Sequence, residues 1–281
     1  MRLVSARRED TAATSPAWQA RVDLAAAHRL AEMQGFSEGI FNHFTLAVPG
    51  TDDRYLQIPF GLHWSEVTAS CFMEIGYDER VLSGAGDVER SAYCIHAPIH
   101  RLIPSAACVL HTHMPFASAL TRLEDPRIEA IGQTEIGYLD CVAYDAEYTG
   151  LAVDPAEGER LAAVLGPKHK VLSMANHGVL VVGETVAEAY DRLYYLERAC
   201  QVQLYAMSTG RPLRRVPPPV VEAHLAAVCR LAELPGQASV GASFRRLEAS
   251  ARPPRAELQR LIGRCVRSST PRLGANPAVI V

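Results

Sequence analysis

Apolar residues recur at helical spacing near the start of the chain. Val22, Ala26, Leu30 and Met33 share one face of a segment that runs from Pro16 to Gln34. This pattern predicts an amphipathic helix, because positions three and four apart lie on one side of a helix. Similar periodicity predicts helices over Ser91 to Arg101, residues 116–124, Pro155 to Gly166 and Val186 to Gly210.

Short apolar runs bounded by turn residues predict strands between these helices. The runs are Phe44 to Val48, Tyr55 to Ile58, Ala106 to Thr112, Gly137 to Tyr144 and Val179 to Val182. The pattern therefore predicts an α/β fold in which helices accompany a mostly antiparallel sheet.

A proline-rich segment divides the chain near its C-terminal end. Four prolines fall between Pro212 and Pro219, where a helix cannot continue. We expect a flexible N-terminus over residues 1–15, a main domain over 16–211, and a linker with a helical extension over 212–281. Within the extension, helices are predicted near 220–233 and 255–267, and the tail from Ser268 to Val281 is expected to be disordered.

Composition excludes several classes of function. The chain has 281 residues, of which 48% are hydrophobic, and a net charge of −3, whereas nucleic-acid-binding surfaces carry a basic excess. No apolar stretch is long enough to cross a membrane, and the charged first residues do not form a secretory signal. The seven cysteines form no CxxC pair, which favours a reduced, cytoplasmic protein acting on a small molecule.

Three histidines stand at the ends of apolar runs. His111 and His113 close the run from Ala106 to Leu110, and His177 precedes the run that starts at Val179. Side chains two residues apart on a strand point to the same face, so the imidazoles of His111 and His113 can bind one cation together. With His177 as a third donor, the set suits zinc, iron or another transition metal and leaves positions for substrate.

Several segments together resemble the class II aldolase/adducin family. They are Asn42-His43-Phe44-Thr45, Pro59-Phe60-Gly61, Ile95-His96-Ala97-Pro98-Ile99-His100, His111-Thr112-His113 and Asn176-His177-Gly178. The resemblance implies a three-layer α/β/α sandwich around a mostly antiparallel sheet, extended here by C-terminal helices. It also implies a homo-oligomer, often a tetramer, with a metal held by His111, His113 and His177.

Other positions depart from the pattern of the family's sugar-phosphate aldolases. The position of their glutamate, a metal ligand and acid/base, falls on Ala92, and Glu89 is the nearest carboxylate that could replace it. The phosphate-pocket positions read His43, Phe60 and Arg90, with only Gly61 and Ser91 retained, and these five residues together with Trp64 are the predicted substrate contacts. Phe60 and Trp64 suggest a flat aromatic pocket for a ring substrate, and Arg90 could hold a carboxylate. Phe60 and Trp64 could equally pack a turn, and Arg90 could be a solvated surface residue.

Two chemistries and one non-catalytic role fit these features. We expect a non-haem Fe(II) enzyme that uses O₂ to decarboxylate an aromatic 2-oxo acid, similar to the bifunctional oxygenases of aminocoumarin antibiotic biosynthesis. The alternative is a Zn(II)-dependent aldolase or lyase, which needs a general base; the candidates are His96, His100, Tyr144, Tyr148 and Glu89. The third possibility is an adducin-like interaction module.

Overall fold

The computed structural model describes residues 15–232. They form one sheet with a layer of helices on each of its two faces. The helices are α1 (Pro16–Met33), α2 (Arg90–Leu102), α3 (Pro115–Leu120), α4 (Gln133–Ile136), α5 (Pro155–Leu165), α6 (Val186–Ser208) and α7 (Pro218–Ala232), with a 3₁₀ turn at Trp64–Glu66. The strands are β1 (His43–Ala47), β2 (Arg54–Gln57), β3 (Met73–Gly76), β4 (Val81–Ser83), β5 (Cys108–Thr112), β6 (Val142–Asp145), β7 (Val171–Met174) and β8 (Val179–Gly183). The predicted helix near 255–267 and the predicted tail lie outside the described residues.

The eight strands form one sheet in the order β4-β3-β2-β1-β5-β8-β7-β6. Every neighbouring pair is antiparallel except β6 and β7, which are parallel. The expectation of a mostly antiparallel sheet is therefore confirmed.

Alternating residues of the central strands build two separate cores. Leu110 and Val181 face α1 and α6, whereas Val109 and Leu180 face α2 and α5. This alternation follows from the two-residue repeat of a strand. The α/β/α layering is thus confirmed, and His111, two residues after Val109, lies on the face that α2 covers.

Two predicted elements were wrong in extent. The helix expected over 116–124 ends at Leu120, because the Thr121 carbonyl accepts a hydrogen bond from Asn176 N (2.9 Å) instead of from a following helical residue. The strand expected from Gly137 starts only at Val142, because residues 133–138 form the short helix α4 and a turn.

Within the described part of the chain, no helix combines the length and apolar character needed to cross a membrane.

Candidate metal centre and adjoining cavity

The three histidines predicted to bind a metal come together at one end of β5. His111 lies on β5, His113 follows it, and His177 lies in the turn between β7 and β8. One ring nitrogen of each lies within 4.8 Å of the others, and the Nε2 atoms of His111 and His113 are 3.2 Å apart. Such convergence of neutral nitrogen donors fits a divalent transition metal, and within the described residues the cluster contains no carboxylate.

Hydrogen bonds on the far side of two rings fix their orientation. His111 Nδ1 donates to the Val179 carbonyl (3.0 Å), which leaves Nε2 free to bind a metal. His113 Nδ1 contacts the carboxylate of Glu38 at 2.5 Å. Glu38 was not identified from the sequence, because it lies 75 residues from His113 and only the folded chain brings the two together.

The turn that carries His177 packs closely against the end of β5. A Cβ on Gly178 would lie 2.6 Å from the Thr112 carbonyl oxygen and 2.8 Å from His113 Cδ2. Asn176 adopts a positive φ of 56°, a conformation that asparagine tolerates better than most residues. These two neighbours let the β7–β8 turn bring His177 against the β5 imidazoles.

Burial keeps His111 and His177 neutral. Desolvation, together with the neighbouring His177 and His113, places the pKa of His111 well below its usual value. Desolvation followed by the charges of His113 and His43 lowers the pKa of His177 to about 4. A neutral imidazole has a lone pair for a metal at physiological pH.

Glu89 lies close to the centre without joining it. Its carboxylate caps α2 by accepting hydrogen bonds from Ser91 N and Ala92 N, and it contacts His43 Nε2 at 3.0 Å. The His43 ring in turn stacks on His111, with the centroids 5.7 Å apart. Burial raises the pKa of Glu89, but the contacts with His43, Ala92 and Ser91 outweigh it and bring the pKa to about 2.

His96 and His100, two candidate bases, are enclosed between α2 and the sheet. Thr45 Oγ1 bonds to His96 Nδ1 (2.7 Å) and to His100 Nε2 (2.8 Å), and His100 Nδ1 donates to the Ala106 carbonyl (2.9 Å). Desolvation lowers the pKa of both, to about 4 for His100. Their hydrogen bonds tie α2 to β1, and both rings are buried away from solvent.

The two tyrosine candidates differ in position. Tyr144 Oη accepts a hydrogen bond from Ile128 N (3.1 Å), so its hydroxyl is engaged with the backbone. Tyr148 is more than half exposed, and its ring centroid lies 6.3 Å from that of His177. Of these two, Tyr148 is the one beside the metal centre.

A cavity adjoins the centre on the His43 side. His43, Phe60, Gly61 and Trp64, which were predicted to contact substrate, line it together with Glu89. Phe60 is half exposed, whereas Trp64 is fully buried with its ring 4.5 Å from that of Phe44. Two further lining residues, Asn42 and Gln57, were not singled out as substrate contacts.

Arg90 and Ser91, also predicted to contact substrate, lie outside this cavity. The Arg90 guanidinium pairs with Glu79 and donates to the Val153 carbonyl at the surface, so the structure does not place it where it could hold a substrate carboxylate. Ser91 Oγ donates to the Glu89 carboxylate (3.0 Å). Both residues follow the α2 cap, whose geometry turns Arg90 outward.

The chain matches the family model for the class II aldolase and adducin N-terminal domain over residues 22–204. It belongs to the class II aldolase/adducin family. The predicted family is thus confirmed.

Relatives carry both names of the family. The chain is 35% identical to an aldolase class 2 protein of Pseudomonas aeruginosa over 201 residues, which cover 71% of this chain and 76% of that protein. It is 34% identical to rat alpha-adducin over 200 residues, 68% of this chain but only 26% of the adducin.

Solved structures agree with the fold. An aldolase II superfamily protein from Pseudomonas syringae superposes with a TM-score of 0.74 at 32% identity, covering 93% of this chain and 98% of that one. L-fuculose 1-phosphate aldolase from Glaciozyma antarctica gives a TM-score of 0.69 at 22% identity, covering 89% and 91%. The closer likeness to aminocoumarin oxygenases that the sequence suggested has no support in these comparisons.

Proposed function

We propose that this protein is a divalent-metal-dependent lyase that cleaves or forms a carbon–carbon bond next to a carbonyl group. The observation that carries the proposal is the convergence of His111, His113 and His177, with ligating atoms within 4.8 Å of one another. Imidazole donors suit zinc, and three protein ligands leave a position for substrate. The aldolase name of the Pseudomonas aeruginosa relative supports the same reading.

The O₂-dependent decarboxylation at Fe(II), which the sequence favoured, is the weaker reading. The usual ligand set of such iron enzymes includes a carboxylate, and the cluster within the described residues holds only imidazoles. The relatives named above carry the names aldolase class 2 protein and adducin, and neither name refers to an oxygenase.

A bound zinc ion would act as a Lewis acid that polarises the substrate carbonyl. The chain's own residues would orient the metal ligands and transfer the protons. Glu38 and the Val179 carbonyl orient the ligand rings, and burial keeps His111 and His177 neutral. Because Ala92 cannot move a proton, we assign proton abstraction to His43, whose ring the Glu89 carboxylate holds at 3.0 Å. We assign proton donation to the exposed hydroxyl of Tyr148.

The ligand assignment is tested with His111→Ala. We expect this variant to lose zinc binding in isothermal titration calorimetry while its circular dichroism spectrum stays that of the parent. His169→Ala is the matched control, because His169 bonds to the Leu165 carbonyl at the end of α5 and should leave zinc binding unchanged. If His111→Ala bound zinc with the affinity of the parent protein, the assignment of His111 as a metal ligand would be wrong.

The reaction is tested with two assays on the parent protein. Zinc-loaded protein is given a panel of hydroxy-ketones and aldehyde release is followed; Fe(II)-loaded protein is given aromatic 2-oxo acids, and O₂ uptake and CO₂ release are followed. Aldehyde release that disappears in His111→Ala supports the lyase. Iron-dependent O₂ consumption with matching CO₂ overturns it in favour of the oxygenase, and zinc binding without either reaction overturns it in favour of an adducin-like role.

A further inference from the structure

Helix α3 lies between two of the three imidazoles of the candidate metal centre. It begins at Pro115, two residues after His113. At its other end, the Thr121 carbonyl accepts a hydrogen bond from Asn176 N (2.9 Å), the neighbour of His177 in the β7–β8 turn. A shift of this short helix would therefore move two of the three candidate ligands.

Arg122 makes a second connection between the end of α3 and the β7–β8 turn. Its Nη1 donates to the Ser118 carbonyl inside α3 (2.6 Å) and to the His177 carbonyl (3.2 Å). Because one guanidinium bonds to both the helix and the turn, the backbone of His177 is held in place relative to α3.

The N-terminus of α3 has no cap of its own. Met114, at the N-cap position, makes no side-chain hydrogen bond to the helix, and Pro115 has no N–H group. The next two donors are Phe116 N and Ala117 N, and the first N–H groups of a helix have no partner within it. A helix of six residues gains little from its own hydrogen bonds, so its position depends on contacts from outside.

Glu197 of α6 supplies the missing cap. Its two carboxylate oxygens accept hydrogen bonds from Phe116 N (2.9 Å) and from Ala117 N (2.8 Å). The residue is only 4% exposed, and burial raises its pKa while the two N–H groups lower it. Because burying a carboxylate costs free energy, the gain at this place lies in the two donors that it satisfies and in the single orientation that they impose on α3.

The helix that carries Glu197 is well anchored. Helix α6 runs for 23 residues, and Leu193 and Cys200, one turn to either side of Glu197, are buried in the core. The carboxylate therefore ties α3 to the packed interior of the protein and not to another loop.

We infer that Glu197 is a positioning residue for the metal centre, which acts through α3 to hold His113 and His177 beside His111. The inference rests on the metal binding of the proposed function, and it assigns Glu197 no contact with metal or substrate. Without the cap, α3 would populate other positions, and metal binding would be weakened by the fraction of molecules in which the ligands are out of place.

Zinc affinity and the visible spectrum of Co(II)-loaded protein test this inference. Glu197→Ala removes both acceptors and should weaken zinc binding by about three- to thirtyfold, the factor that corresponds to the loss of a helix cap. Its Co(II) absorption bands should shift, because they report the geometry of the ligands. Glu197→Gln keeps one acceptor, so its zinc affinity should lie between those of Glu197→Ala and the parent protein.

Thr185→Ala is the matched control, because Thr185 caps the start of α6 by accepting a hydrogen bond from Glu188 N (3.1 Å). Its loss should lower the free energy of unfolding in urea, as the loss of Glu197 should, but leave the zinc affinity and the Co(II) spectrum unchanged. This comparison separates positioning of the ligands from a general loss of stability.

The outcomes distinguish this inference from the proposed function. Zinc affinity and Co(II) spectra like those of the parent in both Glu197 variants would overturn the inference alone, and so would an equal loss of affinity in Thr185→Ala. If Glu197→Ala does not fold, Glu197→Gln decides by the same two measurements. A parent protein that binds neither ion would overturn the proposed function, and the inference with it.

Discussion

Glu38 gives the candidate metal centre its one carboxylate partner among the described residues, and it acts behind a ligand. Its contact with His113 Nδ1 holds the opposite nitrogen toward His111 and His177. A carboxylate in this place also makes the imidazole a stronger donor to a metal. The residue lies in the loop before β1 and is otherwise mostly exposed, so little else requires a glutamate there.

Glu38→Gln is therefore expected to weaken zinc binding by about 10- to 100-fold, the usual effect of losing such a partner. The amide keeps the size of the side chain but carries no charge. Zinc affinity is measured by competition with a chromogenic chelator, and Glu124→Gln, an exposed glutamate elsewhere, serves as the control. Equal affinities in both variants would show that Glu38 does not support the metal.

The residues of the candidate site that could be predicted from the sequence are those whose proposed roles follow from local spacing. His111 and His113 are two apart on a strand, and His177 repeats their setting beside β8. Glu38 and Gln57 carry no such signal, because their positions at the site depend on contacts between distant segments. Trp64 lines the cavity, as the sequence suggested, but its role as a substrate contact stays a prediction, and its complete burial against Phe44 depends on tertiary packing.

At the scale of elements, α2 and α5 approach closely at one glycine. A Cβ on Gly158 would lie 2.1 Å from the Cys94 carbonyl oxygen and 2.8 Å from Pro98 Cγ. Pro98, inside α2, has no N–H to offer that carbonyl, so the glycine of α5 fits where the helical hydrogen bond is missing. The same helix α2 carries His96 and His100 against the sheet and Glu89 at its cap.

Gly158→Ala should separate the two helices and lower the free energy of unfolding by about 1–3 kcal/mol, as overpacking does. Because alanine is the better helix former, an isolated helix would change in the opposite direction. Urea denaturation measures the difference, with Ala163→Ser on the exposed face of α5 as the control. A stabilised Gly158→Ala would mean that this contact is looser than the structure shows.

Elements were predictable where one pattern persists over many residues. The periodicity of α1 and of α6 indicated both helices nearly to their ends. The extents of α3 and β6 were not predictable, because a tertiary hydrogen bond from Asn176 ends the first and a turn after α4 delays the second. The contact between Pro98 and Gly158 was likewise not predictable, because the two residues lie 60 positions apart in the sequence.

At the scale of the whole molecule, the fold buries an unusual set of neutral imidazoles. Desolvation lowers the pKa of His28 to about 4, and His28 packs among Phe44, Trp64 and Phe72. Desolvation likewise lowers the pKa of His100 to about 4, and it places the pKa of His96 and of His111 well below the usual value. In the unfolded chain these groups return to a pKa of about 6.5.

Stability should therefore fall as the pH drops from about 6.5 to about 4. In this window the unfolded chain binds protons that the folded chain excludes, so each such imidazole removes roughly 1.4 kcal/mol per pH unit. Glu89 adds to the loss below about 4.5, because its folded pKa of about 2 stabilises the protein only while it is ionised.

The measurement is urea denaturation of metal-free protein across this pH range. His28→Leu should flatten the slope by about one proton, since leucine does not titrate and His28 makes no contact with the proposed ligands. Parallel slopes for the parent and His28→Leu would mean that His28 titrates equally in both states.

The residues of the candidate centre and its surroundings come from segments of different kinds. Strand β5 and the β7–β8 turn hold the three imidazoles, whereas helix α2 holds Ala92 and the Glu89 cap, and the segment around Phe60 shapes the cavity. Substitutions in the helix or in that segment leave the strand and the turn that carry the three imidazoles unchanged. Two chains that differ only there can share the three imidazoles and still support different chemistry, so the imidazoles alone do not define the reaction.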